Sequence, residues 1–176
     1  MSVIYFLLSI CLSVNNTEPI YNYTIPAATG DSIHFNDYRG KKILLVNIAS
    51  GSNRIGQLIA LQQLQQQYVN DLAVVVFPSN SFGNEPLSDS AIAALCHTQY
   101  ETTFAIARKG AVSGVGKQDL YAWLGDDALN GVHSMEPKED FKKYLISSSG
   151  VLIGSFAAEI SPTSTLIVNA ILNPNN

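Results

Sequence analysis

Charged residues are scarce in this chain of 176 residues, since Asp, Glu, Lys and Arg make up 14% of it while apolar residues make up 47%. The ten Lys and Arg residues form no cluster, and the formal net charge is −4. Binding to the phosphates of a nucleic acid needs clustered positive charge, so we expect no nucleic acid partner. A chain of this length is expected to form one domain with its own core.

Cysteine is also rare, with only Cys11 and Cys96 in the chain. Cys11 lies in an apolar stretch, residues 3–14, that is too short to cross a bilayer as a helix but matches the apolar part of a secretion signal. We therefore expect residues 1–17 to be a signal or leader and residues 18–176 to form the domain. This predicts an exported protein, whether periplasmic, secreted or lipid-anchored, and a cytoplasmic one if the leader is not a signal. No integral membrane span is expected.

The residue types that bind metals are scattered rather than grouped. The histidines show no ligand spacing, which predicts no metal and no cofactor: they are His34, His97 and His133. A small acidic cluster at Glu136, Glu139 and Asp140 follows Asp126 and Asp127 along the chain. Its leading interpretation is a solvated loop, and the alternative is a cation site or an acid/base pair.

Apolar periodicity predicts the order of the elements. Strands are predicted at 20–25, 32–35, 42–49, 72–77, 143–146 and 151–156, and helices at about 56–69, 88–96, 117–124 and 161–172. The first two strands form a hairpin, and the continuous apolar run at 42–49 is typical of a central strand covered on both faces. The run of glutamines at 62–67 is interpreted as the solvated side of its helix, and Ser161 as the cap of the last one.

One segment resembles the signature of a known family. Residues 77–83 read Phe-Pro-Ser-Asn-Ser-Phe-Gly and precede Glu85-Pro86, which is similar to the glutathione peroxidase pattern Phe-Pro-Cys-Asn-Gln-Phe-Gly followed by Glu-Pro. Further matches are Asn47-Ile-Ala-Ser50, Cys96 with Tyr100, Thr103 and Phe104, Leu120-Tyr-Ala-Trp-Leu124, Phe141 with Lys143, and Ser161-Pro162. The chain is identified as a divergent member from about residue 20 to 172. The resemblance implies a thioredoxin-like three-layer α/β/α sandwich with a central mixed sheet and an N-terminal β-hairpin.

The resemblance fails at the family's catalytic positions. Where the family has its Cys or selenocysteine, this chain has Ser52. The segment from there to Leu58 is one residue shorter than in the family, so Gly51 is the other candidate match. Ser81 replaces the active-site Gln, while Glu139 and Asp140 replace the active-site Trp-Asn pair.

These replacements remove the family's chemistry as the resemblance implies it. A thiolate attacks the peroxide and becomes a sulfenic acid, which a Ser hydroxyl cannot do. Glu139 and Asp140 also place negative charge where neutral donors would stabilise an anion. We therefore expect that hydroperoxide reduction has been lost. The expected role is binding or structural, with an unknown partner, a small molecule or a protein, in the inherited pocket.

Two alternatives remain open. Cys96 lies where thioredoxin-dependent members keep their resolving Cys, so the chain could be a weak thiol-dependent antioxidant of the oxidative stress response. The other interpretation of Cys96 is a half-buried helix-end residue without redox function. The second alternative is a new small-molecule site, built from Ser52, Ser79, Ser81, Glu139 and Asp140.

Overall fold

The computed structural model describes residues 19–132 and 136–173, and its centre is a mixed sheet of five strands in the order β5-β4-β3-β6-β7. β3, β4 and β5 are parallel, while β6 and β7 are antiparallel additions on the other side of β3. β1 and β2 form a separate antiparallel hairpin. The strands are β1 Thr24–Pro26, β2 Ser32–His34, β3 Lys42–Ile48, β4 Leu72–Pro78, β5 Ala105–Ile106, β6 Lys143–Ile146 and β7 Leu152–Phe156.

Both faces of the sheet are covered, because β3 and β4 are buried at every position. Alternate residues of a strand point to opposite faces. Leu44 and Val46 therefore join the apolar cluster that contains α1 and α5, whereas Ile43 and Leu45 join the cluster that contains α3. The predicted three-layer thioredoxin-like sandwich with an N-terminal hairpin is confirmed. The helices are α1 Gln57–Gln67, α2 Asp89–Ala94, α3 Asp119–Leu124, α4 Asp127–Asn130 and α5 Thr165–Leu172.

The glutamine-rich helix α1 is confirmed, but the interpretation of its glutamines as solvated is wrong for Gln62 and Gln65. Gln62 is buried, and its amide donates to Thr103 Oγ1 (3.0 Å) and accepts the Thr103 N–H (2.9 Å). Gln65 Oε1 accepts the N–H of Val74 in β4 (2.8 Å). These amides satisfy backbone groups that the sheet leaves unpaired, a role that periodicity cannot reveal.

The N-terminal strand prediction is wrong over its first half. Residues Ile20–Asn22 form a 3-10 turn, closed by a hydrogen bond from the Tyr23 N–H to the Ile20 carbonyl (3.0 Å). Ile20 and Tyr21 are both buried although they are adjacent, which an extended strand with one covered face would not allow. Only Thr24–Pro26 pairs with β2.

Two helix ends also differ from the prediction. The final helix is capped by Ser164, whose Oγ accepts the Ile167 N–H (3.4 Å), and not by Ser161. The sequence offers both serines within four residues, so spacing alone could not choose between them. The helix predicted to reach Cys96 is α-helical only to Ala94 and continues as a π-helical turn, Leu95–Gln99.

The short elements β5 and α4 were not predicted, because two and four residues carry too little periodicity. Across residues 19–132 and 136–173, no helix is long and apolar enough to cross a membrane. The predicted leader and its Cys11 lie outside the described residues.

Candidate functional site

A pocket of about 380 Å³ opens where three chain segments meet at one edge of the sheet. β3 and β4 are parallel, so the loops that follow them leave from the same edge, and β6 starts there because it is antiparallel to β3. This is the edge at which α/β sheets place their ligands. The pocket is lined by Gly51, Ser52, Asn53, Arg54, Phe82, Asn84, Lys138, Glu139 and Asp140.

Ser52, the sequence match to the family's nucleophile position, lines the pocket. It is 6% exposed, and its Oγ accepts the backbone N–H of Arg54 (3.3 Å). The neighbouring Gly51 donates its N–H to the Asn84 carbonyl (2.8 Å), and a Cβ on Gly51 would lie 2.7 Å from that oxygen. Position 51 therefore has no room for a side chain in this structure, and the match of Ser52 to the family's Cys stays a prediction.

Asp140 is the most deeply buried charged side chain of the pocket, at 2% exposure. Its Oδ2 accepts a hydrogen bond from Asn84 Nδ2 (2.7 Å), while its buried Oδ1 has no partner within the described residues. Burial raises the pKa of this carboxyl, and the Asn84 hydrogen bond opposes the increase. The interpretation of this acidic segment as a solvated loop is therefore wrong for Asp140.

The other acidic residues of the cluster are engaged elsewhere. Glu139 forms an ion pair with Arg54 (3.0 Å) at the half-exposed rim, and Lys138 is exposed beside it. Glu136 pairs with Lys117 away from this pocket. The rim therefore carries both signs of charge, while the carboxylate inside has no ion-pair partner among the described residues.

The loop that carries Glu139 and Asp140 is held from below by β3 and β6. Asn47 Nδ2 donates to the Glu139 carbonyl (2.9 Å), and the Phe141 N–H donates to the Asn47 carbonyl (2.6 Å). Phe141 has φ 69°, a left-handed conformation that a residue with a bulky side chain rarely adopts. The fully buried Lys143 donates from Nζ to the Phe141 carbonyl (2.8 Å). Burial lowers the pKa of Lys143 to about 8.

Glu85 joins the two loops that follow β3 and β4, a role that sequence analysis missed. It is 1% exposed, and its oxygens accept the Ser50 N–H (2.7 Å), the Ser50 hydroxyl (2.7 Å) and the Leu87 N–H (3.0 Å). The Glu-Pro pair of the signature was the available signal, because it places Glu85 in the matched segment directly after β4.

The serines of the signature do not reach this pocket. Ser79 is buried and donates from Oγ to Ser81 Oγ (3.0 Å), which in turn accepts the Val112 N–H (3.1 Å). Of the five residues in the hypothesis of a new site, the structure brings together only Ser52, Glu139 and Asp140.

Cys96 is enclosed in the apolar cluster between the sheet and α1, with no exposed surface. Burial, and to a smaller extent the charge of Glu85, raise the pKa of its thiol to about 11. The thiolate is the reactive form of cysteine, so this environment disfavours reaction. Cys96 does not line the pocket.

Among residues 19–132 and 136–173, no group of three or more His, Cys, Asp and Glu side chains could hold a metal ion. His133 lies outside those ranges, and the Nδ1 of His97 hydrogen-bonds with the Thr102 carbonyl (2.8 Å).

Comparisons with known proteins agree with this architecture. The family model described as glutathione peroxidase matches residues 20–125. The Saccharomyces cerevisiae protein named glutathione peroxidase-like peroxiredoxin 2 is 31% identical over 150 residues, which cover 84% of this chain and 93% of that protein. Glutathione peroxidase-like peroxiredoxin GPX5 of Chlamydomonas reinhardtii is 32% identical over 146 residues, covering 82% and 90%.

Solved structures show the same similarity. The apo form of Trgpx superimposes with a TM-score of 0.67 at 27% identity, over 89% of this chain and 97% of that one. GPX1 of T. cruzi has a TM-score of 0.65 at 22% identity, over 88% and 94%, which supports the fold. The family model and these relatives show that the chain belongs to the glutathione peroxidase family.

Proposed function

We propose that this protein has lost hydroperoxide reduction and that its inherited pocket binds a small polar molecule. The observation that carries the proposal is the lining of the pocket, which contains Ser52 and, among the residues that the structure describes, no sulfur atom. A hydroxyl cannot pass through the sulfenic acid on which the reaction depends.

The electrostatics of the pocket support the same conclusion. The buried Asp140 lines the same pocket as Ser52, and the exposed Glu139 lies on its rim. Two carboxylates at this pocket disfavour an anionic nucleophile formed near them.

A second candidate is a thiol peroxidase that uses Cys96. One observation favours it: Cys96 lies in a π-helical turn, a distortion often found at functional sites. Two relatives are also named peroxiredoxins. In this reaction the Cys96 thiolate would attack a peroxide oxygen, giving a sulfenic acid and releasing water or an alcohol. The thiol would first have to leave its apolar cluster.

Peroxide consumption by the full chain distinguishes these functions. Hydrogen peroxide and a lipid hydroperoxide are offered with glutathione or thioredoxin as the reductant, and Cys96→Ser and Cys11→Ser serve as matched variants. We expect no turnover above the rate of the two variants. Turnover that disappears in Cys96→Ser alone would replace the proposal by the second candidate.

We also propose that the leader at residues 1–17 directs export. Expression of the full chain, followed by N-terminal sequencing of the protein from each cell fraction, tests this proposal. A mature N-terminus near residue 18 outside the cytoplasm is expected, and an intact N-terminus in the cytoplasm would contradict it.

A further inference from the structure

The unpaired side of Asp140 is a feature that the loss of peroxidase chemistry does not explain. The ion pair at this pocket joins Arg54 to Glu139, and no ion pair reaches Asp140 within the described residues. Asn84 supplies one hydrogen bond, and Oδ1 stays buried without a partner in residues 19–132 and 136–173. A buried charge of this kind is costly unless it is paired.

The geometry limits which group can hydrogen-bond to the unpaired oxygen of Asp140. An ionised carboxylate only accepts hydrogen bonds, so the missing partner is a donor. Because Asp140 lines a small pocket and its Oδ1 is buried, that donor must be compact. A primary ammonium group fits, since it places a point charge and three donors on a narrow stem.

The rim indicates a second charge on the same ligand. Lys138 is exposed and lines the pocket, and Arg54 stands beside it, paired with Glu139. Glu139 balances the charge of Arg54, whereas Lys138 forms no ion pair among the described residues, so the entrance favours a ligand with a carboxylate at its outer end. Ser52 Oγ accepts only the Arg54 N–H within the described contacts, which leaves its hydroxyl hydrogen for an acceptor on the ligand.

We propose that the pocket binds a small zwitterion of the amino acid or dipeptide class, with its ammonium group at Asp140 Oδ1 and its carboxylate near Lys138. The volume of about 380 Å³ is at the lower end for ligand pockets and suits a molecule of this size. This inference rests on the proposed function, because it assigns the pocket to binding rather than to peroxide.

The test is an NMR titration of the ¹⁵N-labelled full chain with three probes. Glycylglycine carries both charges, N-acetylglycylglycine lacks the ammonium group, and glycylglycinamide lacks the carboxylate. We expect glycylglycine to bind at least about tenfold more tightly than the acetylated probe, as expected for a lost charge-assisted hydrogen bond.

Matched variants assign each end of the ligand. Asp140→Asn preserves the shape of the side chain and should abolish the preference for glycylglycine over N-acetylglycylglycine. Lys138→Gln should abolish the preference over glycylglycinamide. Asp31→Asn removes an exposed carboxylate from the β1–β2 turn, outside the pocket lining, and should bind all three probes like the unaltered chain.

Equal affinity for the three probes, or no shift of the pocket resonances at tens of millimolar, would overturn the inference. The same preparation is assayed for peroxide consumption. Absence of turnover together with absence of binding rejects the zwitterion and leaves the loss of peroxidase activity standing. Turnover that requires Cys96 rejects the proposed function whatever the titration shows.

Discussion

Glu85 and Asp140 are both buried carboxylates near the same two loops, and they differ in how completely they are bonded. Glu85 accepts three hydrogen bonds, from two groups of Ser50 and from the Leu87 N–H. Asp140 accepts one, from Asn84, and its other oxygen has no partner in the described part of the chain. The first arrangement is that of a structural element, whereas the second is incomplete without a further group.

This difference separates the frame of the pocket, by which we mean Glu85 and the two loops that it joins after β3 and β4, from the reactive centre of the family. Glu85 belongs to the Glu-Pro pair of the signature, and the loops that it joins keep the pocket open at the sheet edge. By the sequence match, Asp140 stands where the family has a neutral donor, and it lines the same pocket as Ser52, the match to the family's nucleophile. We propose that the chain retains the residues that shape the pocket and has replaced those that performed the reaction.

The largest expected effect is on stability, and it comes from removing the carboxylate of Glu85. Glu85→Ala leaves the Ser50 N–H, the Ser50 hydroxyl and the Leu87 N–H without an acceptor. We expect a loss of about 3 kcal/mol in the free energy of unfolding, because unsatisfied buried donors cost about 1–3 kcal/mol each and are not additive. Urea unfolding measures it. A loss below about 1 kcal/mol would show that water replaces Glu85 and that the comparison with Asp140 is mistaken.

The second prediction concerns a thiol placed in the pocket. Ser52→Cys alone should react slowly with hydrogen peroxide, because burial and the charges of Glu139 and Asp140 raise the pKa of the new thiol. Combining it with Glu139→Gln and Asp140→Asn should increase the rate at neutral pH by about tenfold, equivalent to a pKa lower by about one unit.

Loss of thiol absorbance measures the rate of reaction with hydrogen peroxide, and the pH dependence of alkylation measures the pKa of the thiol. The control is Ser52→Cys combined with Asp31→Asn, which keeps the pocket charges and should stay slow. Equal rates in all three variants would mean that the two carboxylates do not control the chemistry of this pocket.

The third prediction is a dependence of stability on pH from Lys143, behind the pocket loop. Burial lowers its pKa to about 8 in the folded protein from the ordinary lysine value of 10.5. The unfolded chain therefore binds more protons between these values, and stability rises with pH. Between pH 8 and 9 we expect Lys143 to contribute about 1 kcal/mol.

Ionisation of Cys96 has the opposite effect on stability at higher pH, between about 9 and 11. Its pKa is raised from 9.0 to about 11, so the folded protein retains the proton longer and stability falls as pH rises through this interval. Urea midpoints at several pH values should rise from pH 8 to 9 and then level off, and in Cys96→Ser they should continue to rise beyond pH 9. If the urea midpoints change with pH in neither the unaltered protein nor Cys96→Ser, Lys143 stays protonated throughout this range and the prediction is wrong.

The frame could be predicted from the sequence, because it is encoded locally. Continuous apolar runs identified β3 and β4, helical spacing identified α1, and the signature placed Glu85 in a loop. The partners of Asp140 could not be predicted, since Asn84 and Asp140 are 56 positions apart and meet only through the sheet topology. Ser81 shows the same limit. Its sequence match indicated an active-site position, whereas its hydroxyl accepts the Val112 N–H outside the pocket.

The smallest expected effect is also the most direct test of the contrast between the two carboxylates. Burial raises the pKa of Asp140 in the folded state, so the ionised form weakens the fold at neutral pH, and its contribution is favourable only below the pKa of the unfolded chain. Asp140→Asn should therefore stabilise the protein at pH 7 by about 0.5–1 kcal/mol, the size expected when a functional group is replaced by a better-accommodated one. The gain should shrink as pH falls toward 4 and should be absent in the exposed control Asp31→Asn. Thermal unfolding at pH 7 and pH 4 measures both. A destabilised Asp140→Asn would mean that this carboxylate contributes to the frame as Glu85 does, and that the pocket is complete without a ligand.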